Sequence, residues 1–146
     1  MKTLRRLALV GALSSLAAGC GTTEPSLPNI VGNWLATKFE FVSVANSSTR
    51  VDKTTQGTIT MVITATAFSI SGGPAGQAPQ VFFSGTYTEA ATTLAISGTD
   101  QGGHAETLTF AMALSGSTLS LTGATTNYDF GSGDVPAYVN LIWTKQ

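Results

Sequence analysis

The chain has 146 residues, of which 42% are hydrophobic and only 10% charged, for a formal net charge of -1. That is one domain's worth of chain, too apolar for intrinsic disorder, and seven Lys and Arg against eight Asp and Glu give no basic surface for nucleic acid. A single Cys and a single His exclude a disulfide framework, a cysteine-rich zinc site and multi-histidine ligation, so no metal and no cofactor is expected.

The chain opens with a short cationic head containing Lys2, Arg5 and Arg6. A twelve-residue apolar run over 7–18 follows, closed by Gly19-Cys20. A charged head, a short apolar core and small residues at the exit make a secretory signal peptide over residues 1–19. The run is too short for a mature transmembrane helix, which needs roughly 20 apolar residues.

Leu16-Ala17-Ala18-Gly19-Cys20 resembles the lipobox of bacterial lipoproteins. In that family a lipid is attached to the cysteine, which becomes the first mature residue. The resemblance therefore implies lipid attachment at Cys20 and a membrane partner reached through its acyl chains. The family prefers Leu three positions before the Cys, where this chain has Ala17, and ordinary signal-peptidase cleavage after a small residue is the alternative. Gly21, not Asp, follows the Cys, and by resemblance this points to the outer membrane, facing the periplasm or the exterior. Several acyl chains would anchor durably, because each buried methylene contributes about 0.8 kcal/mol. Removing residues 1–19 deletes three basic residues and no acid. Four Lys and Arg then face eight Asp and Glu, a net of -4. The processed chain would be acidic, and acyl chains rather than basic charge would hold it to the bilayer.

Residues 20–31 read as the lipidated N-terminus and a tether, polar from Gly21 and interrupted by Pro25 and Pro28. From Ile30 no segment has a helical period. Eight segments alternate with period two between turn clusters: 32–43, 57–64, 67–71, 80–88, 93–99, 105–114, 118–124 and 136–144. The clearest places Leu108, Phe110, Met112 and Leu114 on one face and Thr107, Thr109, Ala111 and Ala113 on the other. The chain carries 23 Thr and 14 Ser, and β-branched, half-polar Thr suits the solvated face of a strand. Ser115-Gly116-Ser117 marks a tight hairpin. Eight short strands joined in sequence predict an all-β fold, an eight-stranded antiparallel up-and-down barrel over 32–146, with a β-sandwich as the alternative.

Gly32-Asn33-Trp34 at the first strand, Gly85-Thr86-Tyr87, and Tyr128-Asp129-Phe130 before the last strand resemble the lipocalin-like domains of bacterial lipoproteins. The resemblance spans about residues 30–145. It implies a barrel whose Trp34 packs across a closed end, and a small apolar ligand as partner. Lipocalins place an Arg on the last strand over that Trp, where this chain offers Lys145.

Catalytic constellations do not emerge. His104 lies near Asp100 and Glu106 in a Gly-Gly loop, without a nucleophile-elbow pattern, and reads as a loop residue. Asn127, Asp129 and Asp134 surround a Gly-rich turn whose spacing is not that of an EF-hand, and a turn is the expectation there. Residues 71–79 lack the Lys of a phosphate loop and read as a loop at one barrel mouth. The expectation is a non-enzymatic, lipid-anchored binding module. Trp34, Ile59, Met61, Ile63, Phe83, Leu108, Phe110 and Met112 are the ligand-lining candidates. Phe39, Phe41, Phe82, Tyr87 and Tyr138 are further residues for the apolar interior. The alternative is a filled barrel that serves the envelope as a structural or protein-interaction module.

Overall fold

The computed structural model describes residues 27–146. Residues 1–19, Cys20 and most of the expected tether lie outside the described residues. The described chain forms nine strands: β1 (Gly32–Ser43), β2 (Arg50–Asp52), β3 (Thr58–Ile63), β4 (Ala67–Gly73), β5 (Gln80–Glu89), β6 (Thr93–Asp100), β7 (Ala105–Ser115), β8 (Thr118–Asp129) and β9 (Asp134–Lys145). A single 3-10 turn, Lys53–Thr55, joins β2 to β3. Every pairing is antiparallel, β1 and β3 to β9 follow one another in order, and β9 returns to β1. The result is a closed eight-stranded antiparallel barrel with β2 as an added strand on β1.

Strand alternation decides what lies inside. Leu108, Phe110 and Met112 of β7 and Ala137, Val139, Leu141 and Trp143 of β9 are buried, while the residues between them are exposed or half-buried. Outward positions carry hydroxyls that pair across strands, as Ser97 and Thr107 do with oxygens 2.9 Å apart. Apolar inside and hydroxylated outside is the inverse of a membrane-spanning barrel, whose outer band is apolar.

The segments expected over 118–124 and 136–144 prove longer, because β8 runs to Asp129 and β9 begins at Asp134. Asn127 and Asp129, read as turn residues, are therefore in a strand, and residues 130–133 make the turn itself. Tyr138 is corrected outright: its neighbours Ala137 and Val139 point inward, so period two turns it outward, 43% exposed. The strand β2 was not expected. Three residues are too few to show alternation.

Two departures from regular pairing shape the upper half of the barrel. β1 pairs with β3 only through residues 32–35, and farther along it pairs with β2 through residues 40–42. β7 pairs with β8 only through residues 111–115. Beyond them, Gly123, at φ +82°, sits in a bulge opposite β9, and β8 continues beside β9 alone. The barrel walls thus diverge toward one end.

Candidate functional site

The two ends of the barrel differ. At the end where the described chain enters, the connections over 64–66, 90–92 and 116–117 are short. Trp34 is 1% exposed there and its indole Nε1 donates to the Ile30 carbonyl at 2.9 Å. Ile30, in the segment read as tether, is itself buried and plugs this end. The Lys145 ammonium lies 5.4 Å from the Trp34 ring centroid, so a lysine holds the position where the resemblance led one to expect an arginine.

The opposite end is hollow. A cavity of about 490 Å³ opens there, within the roughly 300–1,000 Å³ range of small-molecule sites. Its wall is mainly apolar, built from Phe39 and Phe41 of β1, Ile59 of β3, Ile70 of β4, Phe82 and Phe83 of β5, Ile96 of β6, Leu108 and Phe110 of β7, Tyr128 of β8 and Val139 and Leu141 of β9. Polar groups collect near the rim: Lys53, Gln56, Thr58, Asp100, Glu106, Thr126 and Asn127.

Local chain features place these side chains. The register slips between Ile70 and Ser71 opposite β5, so both Phe82 and Phe83 reach the interior, which strict alternation would forbid. Gly72 makes room for the first of them, since a Cβ there would stand 3.1 Å from the Phe82 ring and 3.3 Å from Ile59. Phe82 meets Phe39 edge-on at 5.9 Å, and Phe39 meets Trp143 beneath it at 6.1 Å, so aromatic rings form much of the floor. Tyr128 stacks on Phe41 at 4.2 Å, with the Lys53 ammonium 5.2 Å from its ring centroid.

The connection between β1 and β3 is tied across the wall by Asp52. Its Oδ1 accepts from the Thr54 hydroxyl at 2.7 Å, the Thr54 amide at 3.0 Å and the Phe39 amide at 3.2 Å. Burial alone would raise this carboxyl, but the Thr54 and Phe39 hydrogen bonds and the charge of Lys38 outweigh it and hold it below the usual carboxylate range. Across the other seam, between β7 and β8, the Thr126 hydroxyl donates to the Glu106 carboxylate.

Of the sequence candidates, Ile59, Phe83, Leu108 and Phe110 come together on the cavity wall. Trp34, Met61, Ile63 and Met112 lie in the packed core and do not border the cavity. Of the further residues named for the apolar interior, Phe39, Phe41 and Phe82 line the cavity, whereas Tyr87 packs against the core near the closed end, its hydroxyl donating to the Thr64 carbonyl at 2.8 Å. Sequence reasoning missed Thr126 and Tyr128 as wall residues because the Gly123 bulge moves the inward face of β8 from the odd positions of Leu119 and Leu121 to the even ones that follow Ala124. Asn127, also missed, is exposed and borders only the mouth. Of the 71–79 segment read as a loop, residues 71–73 belong to β4, and only the part from Pro74, which borders the mouth, is the loop.

His104 has an 82% exposed side chain, its Nδ1 3.0 Å from Asp100, and no hydroxyl bonds to that ring among the described residues. Asp129 accepts the Gly131 and Gly133 amides at 2.7 and 2.9 Å, which closes the turn and holds its carboxyl low. Among the described residues no group of three His, Cys, Asp or Glu converges to hold a metal.

Compared with known families and curated proteins, the sequence matches no family model and no curated protein. The eight-stranded barrel is compatible with a lipocalin-like fold on its architecture alone.

Proposed function

We propose that this protein is a lipid-anchored component of the bacterial envelope whose barrel binds a small hydrophobic ligand, without catalysis. The cavity carries the reading. A space of about 490 Å³ walled by Phe, Ile, Leu and Val, with polar groups confined to its rim, favours a ligand with an apolar body over a purely structural, filled barrel. Nearby His104 faces water beside Asp100, an arrangement that supports a surface hairpin rather than a general base.

The anchor rests on the cationic head, the apolar run and Cys20. The described chain enters the barrel at its closed end through Ile30. An acylated Cys20 upstream would then leave the mouth on the side away from the attachment, open to ligand from the aqueous compartment.

Trp143 lies directly below the cavity wall against Phe39, so its emission reports occupancy. Titration with fatty alcohols, fatty acids and polyene compounds should change that emission saturably for at least one class. A flat response across the panel would sink the ligand reading. For the anchor, labelled palmitate should enter the wild-type chain and be lost in Cys20→Ala, and retention in the variant would remove Cys20 from the account.

A further inference from the structure

Strand alternation along β7 runs from a charge to a packed floor. Glu106, Leu108, Phe110 and Met112 share its inward face, and of these Glu106 stands at the mouth. Two carboxylates border the cavity, Asp100 and Glu106. Asp100 is already engaged: its Oδ1 accepts the His104 amide at 2.8 Å and its Oδ2 lies 3.0 Å from the imidazole. Glu106 is half-buried, accepts only the neutral Thr126 hydroxyl, and has no Lys, Arg or His within ion-pair distance among the described residues. A carboxylate offers about four acceptor positions, and those of Glu106 are largely unspent.

The one basic residue on the wall, Lys53, is committed elsewhere, with its ammonium over the Tyr128 ring and 3.4 Å from Gln56 Oε1. An anionic head group would have to draw Lys53 off that ring and settle among two carboxylates. A cationic head meets no such obstacle, because Glu106 stands directly above Leu108 and Phe110, where an apolar body would lie.

We propose that the ligand is a cationic amphiphile, an alkyl or aryl amine whose ammonium donates to Glu106 while its apolar part fills the cavity. This rests on the ligand-binding reading above and adds the chemistry of the head group. Thr126 holds the carboxylate in place, and the unpaired seam between β7 and β8 keeps the head in contact with water. An ammonium therefore gains a charged hydrogen bond without being fully desolvated.

The test compares three probes of one chain length, octylamine, 1-octanol and octanoate, titrated into the full chain at neutral pH and followed by calorimetry. In the wild type, octylamine should bind about tenfold tighter than octanol, and octanoate more weakly than either. In Glu106→Gln the ratio of octylamine to octanol affinity should fall to about one. Because that ratio is taken within one protein, a general loss of folding does not imitate it. Equal binding of octylamine and octanol in the wild type, or a ratio that survives Glu106→Gln, overturns the head-group assignment and leaves the cavity reading standing. Tightest binding by octanoate overturns it in favour of Lys53. Binding by none of the three overturns both readings together.

Discussion

Both ends of the barrel are lined by large apolar side chains, yet one is solid and the other hollow. At the closed end Trp34, Ile30, Leu94, Leu119 and Trp143 are almost completely buried against one another. At the mouth Phe39, Phe41, Phe82, Phe83 and Tyr128 surround about 490 Å³. The contrast comes from the backbone. Near the closed end the strands pair with both neighbours and are joined by short connections, so opposite walls lie within reach of each other's side chains. Toward the mouth β1 leaves β3 and β8 leaves β7, and the walls separate beyond what even phenylalanines can fill. Apolar composition selects what faces inward, while register selects whether the inward space closes.

If that contrast is right, truncation should cost unequally at the two ends. Trp34→Ala removes a fully packed ring together with its hydrogen bond to Ile30, and should destabilise by about 3–5 kcal/mol with no direct loss of ligand contact. Phe82→Ala trims a half-buried ring that already borders open space, and should cost about 1–2 kcal/mol while weakening ligand binding. Urea midpoints of the two variants, read beside their affinities for an apolar probe, measure both effects. Equal destabilisation would mean that the mouth is as tightly packed as the closed end and that the contrast fails.

A smaller effect should come from the tie that keeps the upper wall of β1 in place. Asp52→Ala removes three hydrogen bonds, those to the Thr54 hydroxyl and amide and to the Phe39 amide, and should cost about 1 kcal/mol, as loss of a cap does. The carboxyl is held low in the folded state, so its contribution is present above the ordinary carboxylate range and is lost as pH falls through the lowered value. Wild type and variant should therefore converge in acid. Hydrogen exchange should quicken at the Phe39 and Thr54 amides, and unchanged exchange there would show that Asp52 does not tie the wall.

Much of this was legible in the sequence, and what was not has physical causes. Period two in 105–114 located the inward face of β7, and Leu108 and Phe110 did reach the cavity. Met61, Ile63 and Met112 carry the same signal but lie lower in the barrel. Alternation reports which face is inward and says nothing of height along the axis, so it could not separate floor from wall. The bulges at Phe82, opposite Ile70 and Ser71, and at Gly123 decide that Phe82, Thr126 and Tyr128 face the interior. A bulge adds one residue to one strand and shows only against its partner, which a single strand's pattern does not contain. Cys20 is the opposite case, read wholly from local sequence and lying outside the described residues.

The smallest expected effect returns to the closed end and to Glu89, at the end of β5. Its Oε1 is buried without a hydrogen-bond partner among the described residues, and burial pushes its carboxyl above the usual range. Because the folded state binds this proton more tightly than the unfolded state does, the group supports folding below its ordinary value. That support is lost as pH rises through the raised folded value. Above that raised value the wild type holds an ionised carboxylate in a place that disfavours charge. Glu89→Gln keeps the shape and removes the charge, so it should stabilise the protein at neutral pH and bring no gain in acid. Denaturant midpoints for the two proteins across that pH range give the answer. A variant less stable than wild type at neutral pH would show instead that the Glu89 carboxylate has a favourable partner, and that the packed end of the barrel tolerates charge as readily as the mouth does.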